Sequence, residues 1–340
     1  MFLSIISSYI ATFLLYFFKL KSNVYYKLLI VIFVLPVFFM DPLSEVHKSY
    51  YIDINRMYKE IDIFRAGGWD AYDEYDAFIF SKIYLMFFSL FDNTHLLPII
   101  NCLIVYLFIL YTINNLGKYF CCSENVKRVA ILYISIMAYY LFITTNIRQP
   151  LAFAICFFVL SYDLIKQKHR KICFLGYCML SLLHPSIAIL VLLRIIIKFP
   201  FKILIIFIGL ISWFLIQFMD EWIQFLLDSN IDFIQGLGAK QYAYLNYIFI
   251  SNYTLFFKIS CIIVDCLAII SSFLLNKYMI KELSKRYGML LKLNVILGFL
   301  GILTVITDSQ MMHRVEPLII YISAIYIYFI NKKQFFYINK

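Results

Sequence analysis

The side chains best suited to chemistry stand together in one acidic, aromatic segment. Asp70 and Asp73 supply carboxylates that could act as a general base toward a hydroxyl group or bind a cation. The rings of Trp69, Tyr72 and Tyr75 alternate with them, and such rings can stack on the apolar C–H faces of a sugar. The same pattern also fits a solvated loop with aromatic residues at a membrane surface.

Two arginines and one histidine add a second kind of chemistry. Arg148 and Arg314 each lie beside an apolar run, and a guanidinium group suits bidentate phosphate binding. His184 precedes a proline inside an apolar stretch, where an imidazole could donate to a phosphate oxygen or move a proton. Each has a structural alternative: Arg148 could reach toward lipid headgroups, His184 could be a packed residue, and Glu316 could simply pair with Arg314.

These residues lie in a chain with the composition of an integral membrane protein. The 340 residues are 63% hydrophobic and 15% charged, and the mean hydropathy is +0.84. A soluble chain of this length could not cover so much apolar side chain with polar surface. Apolar runs near the length of a spanning helix recur from Phe2 to Ile330, without the alternation of a membrane barrel. We therefore predict an all-α polytopic integral membrane bundle with about ten or eleven transmembrane helices.

The net charge of +10 does not indicate a nucleic-acid partner. The basic residues sit in short tracts between apolar runs, whereas nucleic-acid binding would require them to cluster on one surface. The eight cysteines include no C-x-x-C pair with the spacing of a metal site. From this pattern we expect neither nucleic acid, nor a metal ion, nor another cofactor.

The basic tracts predict the topology, because Lys and Arg accumulate in cytoplasmic loops. They lie at residues 19–27, 118–128, 166–171, 194–202, 277–286 and 332–340. One threading places all of them inside and leaves two large external loops, 41–95 and 220–257. Residues 1–340 then form a single transmembrane domain whose candidate site residues face outward.

Two segments need special treatment in this threading. Residues 77–91 are apolar but short for a span, and a crossing there would move every later basic tract to the other side. We therefore predict an interfacial or re-entrant helix on the outer face. By hydropathy alone, residues 172–197 would form one long helix. A single crossing there would place Arg194 on the external side of the membrane, against the charge pattern. Two short arms that meet at His184-Pro185 remove the conflict, because proline breaks a helix.

Several of these segments, in this order, resemble the EpsG and Wzy-like polysaccharide polymerases. The resemblance rests on Asn-Ile-Arg-Gln-Pro at 146–150, Leu-His-Pro-Ser at 183–186, Gly-Trp-Asp-Ala-Tyr-Asp-Glu-Tyr at 68–75, Gln-Tyr-Ala-Tyr at 241–244 and His-Arg-Val at 313–315. Together these segments extend over about residues 65–325.

The resemblance implies a GT-C-like bundle with an outer-face cavity, in the cytoplasmic (inner) membrane. It implies a glycosyltransferase that joins oligosaccharide repeat units carried on polyprenyl diphosphate into a surface polysaccharide, such as an O-antigen, a capsule or an exopolysaccharide. Arg148 and Arg314 would bind the diphosphate, and His184 would assist them or act as base. Gln149 and Tyr242 would contact the sugar or the acceptor.

The implied partners are the lipid-linked oligosaccharide and membrane lipid, together with a flippase and a chain-length regulator. The sequence leaves two other functions open. One is a flippase or transporter of lipid-linked oligosaccharide, which needs a polar cavity that opens in turn to both sides. The other is a glycosyltransferase that resembles an O-antigen ligase, which the sequence separates poorly from a polymerase.

Overall fold

A computed structural model describes most of the chain, and the part it describes is helical. The described residues are 2–39, 53–71, 79–138, 140–184, 186–201, 203–204, 206, 209–210, 218–230, 234–235, 255–306 and 312–332. The α-helices are α1 (Phe2–Phe17), α2 (Ser22–Phe39), α3 (Asp53–Gly67), α4 (Ile79–Ser89), α5 (Leu96–Tyr119), α6 (Glu124–Met137), α7 (Tyr140–Thr145), α8 (Arg148–Leu160), α9 (Arg170–Ser181), α10 (Ser186–Ile196), α11 (Met219–Leu227), α12 (Leu255–Tyr278), α13 (Lys281–Ile306) and α14 (Met312–Ile330). A 3-10 turn follows α3 at Gly68–Ala71, and a π-helical turn extends α8 at Ser161–Ile165.

Five helical segments in the described part are long and apolar enough to cross a membrane. They are Ser22–Phe39, Leu96–Tyr119, Arg148–Ile165, Lys258–Tyr278 and Lys281–Leu303. Shorter apolar helices cover Ile6–Phe17, Ile79–Ser89, Ser186–Ile196 and Glu316–Ile330. The prediction of an all-helical, multi-pass membrane protein is confirmed at this level.

The helices group into two compact units. Residues 1–191 and 320–340 form the first unit, and residues 192–319 form the second. The helix α14 begins in the second unit and ends in the first. The prediction of a single transmembrane domain over 1–340, with external loops at 41–95 and 220–257, stays a prediction.

In the first unit, a proline inside α2 determines how its neighbours pack. Pro36 has no N–H, so the carbonyl of Ile32, four residues earlier, loses its helical partner. Ser8 of α1 donates its hydroxyl to that carbonyl at 3.2 Å. The next carbonyl, of Phe33, accepts from the hydroxyl of Tyr140 at 2.9 Å. Neighbouring helices thus supply the donors that lipid cannot, and the proline fixes α1 and α7 against α2.

The centre of the first unit is α5, which contacts α2, α6 and α8. Its Tyr106 stacks on Phe33 of α2 with 4.5 Å between ring centroids. Asn101 of α5 donates its side-chain N–H to the carbonyl of Ile143 at 3.0 Å. The last part of α14 joins the same core, where the hydroxyl of Tyr328 donates to the carbonyl of Ile113 at 2.8 Å.

A charged group joins two helix starts that lie in two different predicted cytoplasmic loops. Glu124 at the start of α6 accepts the backbone N–H of Ser22 at 2.6 Å and pairs with Lys127. Burial alone would raise the pKa of Glu124, but the hydrogen bonds from Lys127 and Ser22 outweigh it and lower the pKa to about 2. Glu124 therefore stays ionised and holds the start of α2 beside the start of α6.

The predicted interruption within residues 172–197 is confirmed. The helix α9 ends at Ser181 and α10 begins at Ser186. The backbone N–H of His184 still donates to the carbonyl of Leu180 at 3.0 Å, so the hydrogen bonding of α9 extends to His184. Pro185 itself lies outside the described residues.

In the second unit, α12 and α13 form a hairpin joined by two residues. One row of side chains along α12 is buried and includes Cys261, Asp265, Ala268, Ser272 and Leu275. A second row is exposed and apolar, and consists of Ile259, Ile263, Leu267, Ile270 and Leu274. Such a division gives α12 one face for protein and one for lipid.

Two glycines of α13 allow α12 to approach closely. A Cβ atom at Gly301 would overlap the carboxyl group of Asp265, with 2.6 Å to its Cγ. A Cβ atom at Gly298 would lie 2.7 Å from Cγ1 of Ile269. Small residues spaced in this way let two membrane helices pack backbone to backbone.

We expect Gly301→Leu to destabilise the hairpin, because the new side chain has to displace Asp265. Overpacking of a close contact costs about 1–3 kcal/mol in free energy of unfolding. The matched control is Gly209→Leu in the same unit, where an added Cβ meets no atom within 4 Å. Thermal unfolding of the purified protein in detergent measures both variants. Equal midpoints for Gly301→Leu and Gly209→Leu would contradict the close contact.

Candidate functional site

The described part of the chain contains only some of the predicted site residues. Trp69, Asp70, Arg148, Gln149 and His184 all lie in the first unit. The backbone of Arg314 lies in the first turn of α14, in the second unit. The remaining predicted residues lie outside the described residues, and they are Tyr72, Asp73, Tyr75 and Tyr242.

The helix α4 contacts the interruption that carries His184. Ser81 of α4 donates its hydroxyl to the carbonyl of Leu183 at 2.7 Å, and Leu183 is the residue before His184. Ser81 is fully buried, and Leu85 and Phe88 follow it on the same buried face of the helix. The segment predicted as an interfacial or re-entrant helix thus packs on protein along one face. Its position relative to the membrane stays a prediction.

The same face of α4 belongs to the apolar cluster that holds the start of α8. Leu85 and Phe88 lie in this cluster together with Ile147, the residue before Arg148. The helix α3 supplies further members, which are Ile54, Met57, Ile61 and Phe64. As a result, α4 contacts the His184 interruption and shares an apolar cluster with the residue that precedes Arg148.

The third group beside α4 is Trp69, in the 3-10 turn after α3. The ammonium group of Lys82 lies over its ring, 4.8 Å from the centroid. Trp69 is 40% exposed, whereas Lys82 is only 2% exposed. A buried ammonium group loses several kcal/mol of hydration, and the cation–π contact returns about 0.5–2 kcal/mol of it. The indole thus keeps one face on Lys82 while part of its surface faces solvent or lipid.

Arg148 and Gln149 open α8 and are both largely buried. Arg148 is 9% exposed and Gln149 is 7% exposed. A cation at the first position of a helix faces the positive end of the helix dipole, which is electrostatically unfavourable. The same arrangement favours a bound anion, because the guanidinium and the positive end of the helix dipole act together.

His184 is held in one orientation by the start of α10. Its Nδ1 accepts the backbone N–H of Ser186 at 3.3 Å, and the ring is 9% exposed. A nitrogen that accepts a hydrogen bond carries no proton, so the neutral imidazole carries its proton on Nε2. In this orientation His184 is a hydrogen-bond donor through Nε2, which suits a phosphate oxygen better than the abstraction of a proton.

Carboxylates near this region differ in exposure. Asp70 is exposed at the end of the 3-10 turn. Glu60 of α3 is 2% exposed and pairs with Arg56, with 3.3 Å between Oε1 and Nε. Arg65 pairs with Asp62 at 2.7 Å. Asp70 is therefore a described carboxylate of this loop that is open to a substrate hydroxyl.

Sequence reasoning missed Lys82, which is the most buried cation of the first unit's described part. The available signal was its position: it is a single charge inside the apolar run 77–91. Charged residues within apolar helices are costly and tend to be functional. Sequence reasoning also missed Glu60, because α3 contains several other charged residues and Glu60 does not stand out among them.

No group of three His, Cys, Asp or Glu side chains in the described ranges is placed to hold a metal ion. Asp73, a candidate cation ligand of the acidic segment, lies outside those ranges.

A double-mutant cycle tests the contact between Lys82 and Trp69. We expect Lys82→Met and Trp69→Leu to be coupled by about 0.5–2 kcal/mol in free energy of unfolding, the range of a cation–π contact. The control combines Trp69→Leu with Lys166→Met, because the ammonium of Lys166 lies over Tyr162. Additive effects of Lys82→Met and Trp69→Leu would show that the two side chains do not interact.

Comparisons of the chain with protein-family models, with curated proteins and with solved structures find no match. What the first unit does is therefore inferred from its side chains and their surroundings.

Proposed function

We propose that this chain is a membrane glycosyltransferase that joins polyprenyl-diphosphate-linked oligosaccharide units into a surface polysaccharide. One observation carries the proposal. Lys82 of α4 is buried against the partly exposed ring of Trp69, and α4 contacts two further segments in which Arg148 and His184 are largely buried. We call these four residues with Gln149 the α4 polar cluster.

The chemistry that fits such a cluster is transfer of a sugar from a diphosphate leaving group. The oxygen of an acceptor hydroxyl forms a bond to the anomeric carbon of the donor unit. The bond from that carbon to the diphosphate oxygen breaks, and its electron pair leaves with the diphosphate. The hydroxyl proton passes to a carboxylate, for which Asp70 and Asp73 are the candidates.

Arg148 and His184 of the cluster would stabilise the diphosphate leaving group. Charge develops on the diphosphate oxygen as the bond breaks, and fixed donors in a dry environment stabilise it strongly. Arg148 offers a planar pair of donors, and His184 offers Nε2–H in the orientation described above. Arg314 is proposed as the second arginine that binds the diphosphate. Trp69 would stack on a sugar ring, and Gln149 would contact the sugar or acceptor, as would Tyr72, Tyr75 and Tyr242.

The proposal also includes the membrane arrangement. The active site would face outward from the cytoplasmic membrane in a GT-C-like bundle of about ten or eleven spans, with an outer-face cavity for the lipid-linked unit. A flippase would deliver that unit, and a chain-length regulator would act on the product.

A flippase is the second candidate, because one observation in the second unit favours it. Asp265 is fully buried within a candidate membrane span, and its carboxylate oxygens accept no hydrogen bond from the described residues. Intramembrane carboxyl groups of this kind occur on the ion and proton pathways of transporters. The two candidates predict different fates for the lipid-linked unit.

The test replaces Arg148, His184 and Arg314 singly with Ala in cells that need this chain for their surface polysaccharide. We expect each change to lower polymerisation at least about 100-fold, the loss for one donor to a developing charge. Single repeat units would then appear outside in place of long chains. Gel analysis of the polymer and immunoblots of membrane fractions give the product length and the protein abundance.

The control is Lys59→Ala, which removes an exposed cation from α3 in the same unit. It should leave chain length unchanged. Full-length polymer from the Arg148, His184 and Arg314 variants would refute the assignment. Lipid-linked units trapped inside would indicate a flippase, and long chains that fail to reach their final acceptor would indicate a ligase.

A further inference from the structure

The second unit contains a cleft that the proposed function does not use. It has a volume of about 550 Å³ and lies along the first half of α13. Its walls include Lys281, Lys285 and Lys292 of that helix. None of the described residues that line it is acidic. Three ammonium groups in one lining favour the binding of an anion.

The cleft is also apolar over part of its length. Phe201, Leu291 and Val295 line it together with the lysines. Lys281 and Val295 are separated by 14 residues of helix, which corresponds to about 21 Å. A small inorganic anion would leave such a long apolar wall uncovered. An anionic headgroup with the upper part of its acyl chains would cover both the cationic and the apolar surface.

Two ammonium groups of the cleft, those of Lys285 and Lys292, are available to a ligand. Within the ranges that the structure describes, neither Lys285 nor Lys292 has a carboxylate within ion-pair distance. Lys292 uses one N–H in a 3.0 Å hydrogen bond to the carbonyl of Phe199, which fixes the ammonium and leaves two further donors. Asn276 and Ser284 hydrogen-bond to each other at 2.7 Å across the hairpin and keep the polar end of the cleft in place.

We propose that this cleft binds the phosphate headgroup of an anionic phospholipid. The cleft opens beside the turn between α12 and α13, within the basic tract 277–286 that predicts the cytoplasmic side. Basic pockets between membrane helices on that side bind anionic headgroups, because the cytoplasmic leaflet is rich in anionic lipid. The bound lipid would join Phe201 to α12 and α13 and so stabilise the second unit.

The test titrates phosphatidylglycerol into the full-length protein in neutral detergent and counts bound lipids by native mass spectrometry. Phosphatidylcholine and inorganic phosphate are separate arms of the experiment. We expect phosphatidylglycerol to bind about tenfold or more tightly than phosphatidylcholine. Inorganic phosphate at millimolar concentration should not displace it, and displacement would overturn the lipid assignment in favour of a free phosphate site.

Two variants locate the site. The triple variant Lys281→Gln, Lys285→Gln, Lys292→Gln should abolish the preference for phosphatidylglycerol. Gly288→Leu should weaken binding at least about fivefold without changing the charge, because a side chain there would enter the cleft that Gly288 lines.

The control removes the same number of exposed lysines from another basic tract, as Lys19→Gln, Lys21→Gln, Lys27→Gln. It should keep the preference for phosphatidylglycerol. Equal losses in the control and the cleft variant would show that general charge, not the cleft, attracts the lipid. Undiminished binding by Gly288→Leu would also overturn the proposal.

Discussion

Lipid is the solvent for most of this chain, because 63% of its residues are hydrophobic and rows of apolar side chains remain exposed on its helices. A lipid solvent supplies no hydrogen bonds, so each backbone polar group at membrane depth has to find a partner in the protein. Helices meet this demand almost everywhere. Where they cannot, side chains take over, as Ser8 does for the carbonyl that Pro36 leaves unbonded. Packing between helices follows from these local needs as much as from apolar contact.

The same solvent makes every buried charge expensive, which gives the α4 polar cluster its significance. Lys82 and Arg148 are cations withdrawn from water, and the ring of His184 is largely buried as well. The helix α4 connects them by one hydrogen bond to the His184 interruption and by an apolar cluster that includes the residue before Arg148. An anionic substrate would offset the cost of burying the two cations, Lys82 and Arg148. A lipid diphosphate is an anion that the membrane itself can deliver to such a position.

Sequence patterns predicted the helical character, the helix at 77–91 and the interruption before Ser186, since hydropathy and proline act locally. They did not reveal the contact between Lys82 and Trp69, because only the folded chain brings these two residues together. The orientation of His184 was equally hidden, as it depends on which donor Nδ1 meets. The close approach of Asp265 to Gly301 was hidden as well, since a glycine in an apolar run does not indicate which residue packs against it. Contacts between distant segments, such as that of Ser81 with Leu183, produce no periodic pattern in the sequence.

The account depends on the side of the membrane to which the α4 polar cluster opens. Single cysteines in a background without other cysteines can determine it: one at the exposed position 70, as Asp70→Cys, and one at the native, exposed Cys121 in a predicted cytoplasmic loop. A membrane-impermeant maleimide added to intact cells should label Asp70→Cys and not Cys121, and permeabilised cells should label both. Labelling of Cys121 in intact cells, or of Asp70→Cys only after permeabilisation, would contradict an outward-facing site.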